Sequence, residues 1–422
     1  LHLYAKSPRY AIISVYNTQI RQMGAYMMIS EKMIKLAQNN SAIRAMFEEG
    51  KRLAALYGRE NVFDFSLGNP NFPAPQALKT ALLDILNGED SVYVHGYMSN
   101  AGYESVRSAV ADALNKKHGT AFTLDNIIMS VGAAGALNVV LKTLLSPGDE
   151  VIVLKPYFVD YGNYVANYDG VLVPVLTDPA TFQPDAEKIA AAVTPKTKVL
   201  LLNSPNNPTG VIYTEESIRK VAAVLEARQK EYGTSIFIVS DEPYRELAYD
   251  GCEVPYLTKY YRNTIVCYSW SKSLSLPGER IGYLAIPSEC DDYKLVFDGA
   301  GIATRICGFI NAPSLMQLAV ARCLGETTDI TPYDENRKLL YKGLTDCGFT
   351  CVFPQGAFYM WMKTPVDDKE FMNAAKKHNI LVVPGASFGC AGYVRIAYCT
   401  AKSTIARALP AFKKLAQEYG LC

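Results

Sequence analysis

Lys272 stands in SWSKSLSLPGER, a small, serine-rich loop directly after the apolar run TIVCYS, with Arg280 eight residues further on. A lysine held there loses hydration of its ammonium form and feels a neighbouring cation. Both effects lower its pKa toward the nucleophilic range, where Schiff-base chemistry with a carbonyl becomes feasible. Most lysines are solvated surface groups, so Lys272 gains meaning only from its companions. The apolar run SIFIVS ends in Asp241-Glu242-Pro243-Tyr244, and a carboxylate at the end of so apolar a strand is costly without a cationic partner. A protonated pyridine nitrogen would be such a partner, held by Asp241 as an electron sink. The alternative is an aspartate that opens a turn before Pro243. Glu242 reads as a surface or turn residue.

Other residues supply the remaining contacts that such a heterocycle needs. Gly132-Ala133-Ala134-Gly135 opens the helical run ALNVVLKTLL, and its small residues let a phosphate approach free N–H groups at a helix N-terminus. Gly/Ala-rich helix starts also occur wherever a helix packs closely on a sheet. Ser269 and Arg280 would add a hydroxyl and a bidentate guanidinium. Asn207, in NSPNNPTG, and Tyr244 each follow a strand and can hydrogen-bond a phenolate oxygen. Phe158, in KPYFVDY, can stack on a flat ring or belong to the core. Arg395, in GYVRIAY, shares one strand face with Tyr393 and Ala397. An arginine so placed is paired with a protein carboxylate or waits for one from a ligand.

The elements that must position these groups are legible in the hydrophobic pattern. From Asp125 to Pro287 short apolar runs (IIMS, EVIVL, VLVPV, KVLLLN, SIFIVS, TIVCYS, IGYLAIP) alternate with amphipathic stretches. The runs suit strands buried on both faces, and the alternation argues for a mainly parallel sheet covered by helices. Ligands of such sheets sit outside the carboxyl ends of the strands, so the runs ending before Val131, Ser204, Asp241 and Trp270 should bring their tips to one crevice. SLGNPNFPAP reads as a crossing segment. After Pro313 the pattern is long and helical to about Cys347, then becomes FYMWMK, ILVV and GYVRIAY among helical stretches, a smaller α+β lobe.

Composition bounds the rest. With 422 residues, 49% of them hydrophobic, the chain can bury a large core. Lys+Arg 42 against Asp+Glu 41 leaves a net charge of +1, without the basic excess that binds nucleic acid through its phosphates. The ten cysteines are scattered without a CxxC pair, which indicates neither a zinc site nor a disulfide scaffold but reduced thiols in a cytoplasmic protein. No metal site is expected. No apolar run approaches the ~20 residues of a membrane helix. Residues 1–27 contain Lys6, Arg9 and Arg21 but no acid, and read as a leader or a disordered arm.

In this order SLGNPNFPAP, YMSNAGYESVR, NSPNNPTG, SDEPYREL, SWSKSLSLPGERIG and YVRIAY resemble the fold-type-I pyridoxal-phosphate enzymes of the class I/II aminotransferases, the relatives of aspartate aminotransferase. The resemblance runs from about Asn61 to Arg395, and six weak motifs in sequence order make it specific. It implies an α/β fold with a mainly parallel seven-stranded sheet in a large domain, residues 73–330. A smaller α+β domain would be built from residues 28–72 and 331–422. Lys272 resembles the lysine that carries the cofactor as a Schiff base and moves the α-proton. Asp241 resembles the partner of the pyridinium, and Asn207 and Tyr244 the ligands of the 3-oxygen. Gly132, Ala133, Ala134, Ser269 and Arg280 resemble the phosphate cup, and Phe158 stands where a stacking tryptophan is common. Trp270 follows Ser269 where a smaller residue is usual. Gly68 and Arg395, with Asn207, correspond to the substrate α-carboxylate site. Tyr97 resembles a phosphate-contacting tyrosine given by the neighbouring subunit, which implies a homodimer.

The implied reaction moves an amino group from an amino acid to a 2-oxo acid such as 2-oxoglutarate. Carbon–sulfur β-lyases and decarboxylases on the same scaffold would keep the same cofactor residues. A regulator that senses the cofactor would carry a DNA-binding module, and the residues before the first motif show no helix-turn-helix pattern. For an acidic substrate such as aspartate a second cation is needed. Arg305, in GIATRICGFINAP, stands roughly where dicarboxylate-specific relatives place an arginine, with the spacing off by one; the alternative is an arginine closing a helix.

Overall fold

The computed structural model describes residues 29–38 and 42–422, with backbone alone for 37–38, 42–45 and 47. It comprises two units, Leu1–Ser41 and Ala42–Cys422. Within its described residues the first is a helix, Glu31–Gln38, and the leader or arm expected at residues 1–27 lies outside the described residues. Every other element belongs to the second unit.

Its strands are β1 (Phe63–Asp64), β2 (Ile127–Ser130), β3 (Glu150–Lys155), β4 (Val171–Leu176), β5 (Thr197–Asn203), β6 (Phe237–Asp241), β7 (Thr264–Ser269), β8 (Gly282–Ala285), β9 (Cys351–Val352), β10 (Tyr359–Lys363), β11 (Ile380–Leu381), β12 (Val383–Pro384) and β13 (Tyr393–Ala397). The apolar runs from IIMS to IGYLAIP form one seven-stranded sheet in the order β2-β8-β7-β6-β5-β3-β4. Only β8 runs against its neighbours. In β2, β6, β7 and β8 every residue is buried, as required of strands covered on both faces. Side chains alternate between the two layers: Val199 and Leu201 of β5 join one core, Leu200 and Leu202 the other. The run VLVPV departs from the expectation of burial on both faces. It is the edge strand β4, with Val171 and Leu176 exposed, and the edge is where a strand tolerates the missing N–H of Pro174.

A smaller antiparallel sheet, β12-β13-β10-β9, follows in the C-terminal part, and β1 pairs with β11, which ties the front of the unit to its end. Phe65, Phe358, Tyr398 and Phe412 pack in that core. The segment 66–75 is neither helix nor strand, as its Pro/Gly content requires. Close approach between β7, β8 and the turn after β2 depends on Gly282, where a Cβ would lie 2.2 Å from the Tyr268 carbonyl oxygen and 3.1 Å from the Gly132 Cα. Among the described residues no helix is long and apolar enough to cross a membrane.

Candidate active site

The tips of β2, β5, β6 and β7 border one cavity of about 180 Å³. Its walls include Ala133 and Ala134, Phe158, Asn203 and Asn207, Asp241 and Tyr244, and Ser269, Lys272 and Arg280. A wider cavity, about 910 Å³, opens beside Leu67, Asn69 and Cys399. None of the expected site residues lines it; most of them line the smaller one.

Lys272 lies in the short helix Trp270–Ser273 that continues β7. Its Nζ donates to the Gly68 carbonyl oxygen at 3.0 Å and stands 5.5 Å from the centre of the Phe358 ring. Burial pushes its pKa down to about 8; the Cys399 thiol opposes this, and the Arg280 and Arg395 cations add to it. The side chain keeps some surface toward the cavity, but protein walls replace most of its water.

Asp241 is buried at the end of β6. Its Oδ2 accepts from Tyr161 Oη at 2.5 Å and from Asn203 Nδ2 at 3.4 Å, while Oδ1 is buried with no partner. Burial raises its pKa to about 7, against the Tyr161 hydrogen bond and with the adjacent Glu242 charge. Glu242 itself corrects the sequence reading of a surface or turn residue. It is 1% exposed, with Oε2 accepting from Arg245 Nε at 2.5 Å and Oε1 from Ser240 Oγ at 2.7 Å. The turn after β6 brings Arg245 back over it, three residues on, so its burial is compensated within the same loop.

Arg395, on β13, is also buried. Nη1 donates to Asn207 Oδ1 at 3.0 Å, Nη2 to the Ser66 carbonyl at 2.5 Å, and Nε has no partner. The guanidinium lies over the rings of Tyr359 and Phe388. The ionisable groups around it are Tyr359, Tyr244 and Cys399, all with pKa raised by burial; no carboxylate among the described residues pairs with it, and burial lowers its own pKa. Of the two sequence readings, pairing with a protein carboxylate is therefore excluded among the described residues.

Gly132 opens the helix Gly132–Leu144 at φ +75°, a conformation that favours glycine, and a Cβ there would lie 2.8 Å from Arg280 Nη2. The guanidinium thus rests on the helix start, held by the carbonyls of Pro277 and Val131 at 3.0 and 3.3 Å. Ser269 is buried beside it. Phe158 meets Tyr161 edge-on, with ring centres 5.6 Å apart.

Two expected residues lie apart. Tyr97 is 91% exposed and borders a separate surface depression with Met98 and Tyr103. Arg305 is exposed in the last turn of the helix Tyr293–Ile306 and does not border the cavity of its own chain. Asn311 Nδ2 donates to the Ser99 carbonyl at 2.7 Å, so the segments after Arg305 and after Tyr97 share one flank.

The family model described as aminotransferase class I and II matches residues 60–412, most of the chain. The chain belongs to the class I and II aminotransferases. It is 34% identical over 365 residues to a probable aspartate/prephenate aminotransferase of Thermus aquaticus, covering 83% of this chain and 90% of that one. It is 30% identical over 392 residues to aromatic-amino-acid aminotransferase 2 of Thermococcus litoralis, covering 90% and 96%. The crystal structure of an amino transferase from Eubacterium rectale superposes with a TM-score of 0.91 at 45% identity, over 94% of this chain and all of that one.

In this aminotransferase the donor set suits the pyridoxal phosphate on which its family depends. The orphaned Asp241 Oδ1 matches a protonated ring nitrogen, and the small-residue helix start under Arg280 matches a phosphate. Sequence reasoning missed Asn203, whose Nδ2 also donates to the Asp241 carbonyl at 2.9 Å and whose Oδ1 accepts from the Asn207 N–H at 2.7 Å. A buried asparagine closing the run KVLLLN was a usable signal, since such a side chain needs partners. Tyr161 and Tyr359 carried no signal, because nothing in their local sequence tells which buried polar group a phenol will reach.

Proposed function

We propose that this aminotransferase carries pyridoxal phosphate on Lys272 and moves the amino group of an amino acid, aspartate among them, to a 2-oxo acid such as 2-oxoglutarate. The observation that carries the reading is a buried carboxylate oxygen without a partner, Asp241 Oδ1, at the wall of the cavity that Lys272 shares. Bound pyridoxal phosphate supplies a carbonyl carbon for an amine and a ring that accepts an electron pair.

The chain's own residues do the rest. With a pKa near 8, Lys272 is roughly one-tenth neutral at pH 7, enough to act as nucleophile and, once freed, to take the substrate's α-proton on Nζ. Asp241 would keep the ring nitrogen protonated, and Tyr244 and Asn207 would hydrogen-bond the 3-oxygen. Gly132, Ala133, Ala134, Ser269 and Arg280 would hold the phosphate, and Phe158 would stack on the ring. Arg395, with the Gly68 backbone beside it, receives the α-carboxylate and so orients the α-hydrogen toward Lys272. The names of relatives support an acidic or aromatic amino donor.

The same reading makes the protein a homodimer in which Tyr97, and on the same flank Arg305, serve the partner's site. Exposed Val92, Tyr97, Leu295, Ile302 and Ile306 support a covered face there. The ten cysteines, all free, support a reducing compartment such as the cytoplasm. The lobes are taken as residues 73–330 against 28–72 with 331–422, and the β1–β11 pairing supports this for the part of 28–72 that lies in the second unit.

The test is to supply pyridoxal phosphate and screen amino acids against 2-oxoglutarate. Glutamate is the expected product, whereas pyruvate with ammonia or sulfide would transfer the assignment to a β-lyase, and carbon dioxide to a decarboxylase. Sedimentation at assay concentration should show a dimer, and a fully active monomer would contradict it.

A further inference from the structure

Tyr359 holds none of the roles above, yet its hydroxyl lies where three of them meet. It begins β10, and the register Tyr359↔Ala397 and Trp361↔Arg395 makes Tyr359 and Arg395 diagonal neighbours on one sheet face. The Arg395 guanidinium carbon is 4.5 Å from the Tyr359 ring centre. Tyr359 Oη is 2.8 Å from Tyr244 Oη. It is also lodged against Gly68, where a Cβ would come within 2.0 Å of that oxygen, and the Gly68 carbonyl is the acceptor for Lys272. The ionisable groups facing Tyr359 are Tyr244, Arg395 and Cys399.

Two phenols in contact share one hydrogen bond, so one proton lies between them and the other is left to donate elsewhere. If Tyr244 gave its proton to Tyr359, it would have none for a ligand. Which way the bond runs is decided by the cation that lies over one of the two rings. The Arg395 guanidinium covers Tyr359 and draws its phenol down to about 12 against burial; it also draws on Tyr244, but burial and Tyr359 itself hold that phenol well above its usual range. The more acidic phenol is the better donor.

We propose that Tyr359 is a positioning residue whose hydroxyl donates to Tyr244, turning the Tyr244 proton into the cavity and coupling that bond to the charge on Arg395. The inference rests on the reading of Tyr244 as donor to the cofactor's 3-oxygen. A donor there stabilises the phenolate and lowers the pH at which the cofactor's link to Lys272 loses its proton. A second donor behind the first strengthens it cooperatively. A carboxylate arriving at Arg395 offsets part of the cation, makes Tyr359 a poorer donor and raises that pH.

The experiment titrates the colour of bound pyridoxal phosphate against pH in wild type, Tyr244→Phe, Tyr359→Phe and the double variant, with and without succinate. Phenylalanine keeps the ring beneath Arg395. Tyr244→Phe should raise the midpoint by roughly one to two pH units and Tyr359→Phe by roughly 0.3. The double variant should match Tyr244→Phe alone, since the second hydroxyl acts only through the first. The upward shift caused by succinate should shrink in Tyr359→Phe and equally in Tyr244→Phe, the latter a comparison that needs no Tyr359 variant. An unmoved midpoint in Tyr359→Phe, additive effects in the double variant, or an undiminished succinate shift overturns the proposal. Wild-type protein that acquires no colour at Lys272 would remove the functional reading and this inference together; a coloured wild type with an unmoved variant removes the inference alone.

Discussion

Arg337 and Arg395 are both fully buried in the C-terminal part of the chain and are treated in opposite ways. Arg337 donates to Asp334 Oδ1 at 2.9 Å through Nε, to Asp250 Oδ2 at 2.7 Å and to the Pro354 carbonyl at 2.7 Å. Arg395 has an amide oxygen, a carbonyl and an orphan Nε. The adjacent carboxylates at the end of β6 repeat the contrast: Glu242 is closed by Arg245 and Ser240, Asp241 is left with a free oxygen. Where a buried charge serves the fold, the chain supplies its counterion. On the proposed reading, where it serves a ligand the chain leaves the counterion out and bears the desolvation cost until the ligand brings it. The difference between the two regions is therefore a functional marker that does not depend on motif.

The largest test removes the nucleophile. Lys272→Ala should lose borohydride-reducible cofactor and about a thousandfold or more in turnover. Peptide mapping that finds the cofactor fixed on another lysine would misplace the whole open region. Next, Arg395→Leu should lower kcat/KM by about 2 to 5 kcal/mol while leaving apoprotein stability unchanged or raised. Arg337→Leu should do the reverse, with KM unchanged and stability lost by about 2 to 4 kcal/mol in urea unfolding. Similar stability losses in both would erase the contrast.

A third test uses pH. Asp241 has a folded pKa near 7 against 3.8 and Lys272 near 8 against 10.5. The Asp241 penalty is absent below about 4, develops as pH rises and is complete above 7. The Lys272 penalty is complete below 8 and is relieved toward 10.5. For these two groups the apoprotein is least stable between pH 7 and 8. Asp241→Asn should remove the acid limb, raising stability at pH 7.5 by roughly 2 to 4 kcal/mol relative to pH 4, whereas Glu242→Gln should destabilise at both. A wild-type profile flat between pH 4 and 7 after subtraction of the Asp241→Asn profile would count against an open Asp241. The smallest effect is expected at the exposed Arg305, where Arg305→Ala should weaken aspartate turnover roughly ten- to a hundredfold and spare an apolar amino acid. Equal losses on both substrates would remove it from the side-chain pocket.

The hydrophobic pattern alone specified the sheet and the strand-tip residues of the candidate site, because the runs from IIMS to IGYLAIP are short and apolar enough to be strands, all but VLVPV of them covered, and ligands of such sheets sit at the strand ends. Hence Lys272, Asp241, Asn207 and Ser269 were legible as strand-tip residues, and Arg395 as an arginine needing a counterion. The folding of distant segments settled whether that counterion is in the protein, since no local pattern tells that Asp250 reaches Arg337 and that no carboxylate among the described residues reaches Arg395, and Glu242 resembles an ordinary turn acid. It also decided that β4 is an edge, that Asn203 and Tyr161 brace Asp241, and that Tyr359 reaches Tyr244 across 115 positions. Periodicity reports which face of its own element a residue occupies; a partner contributed by another element is fixed by the packing of whole layers, which no local pattern encodes.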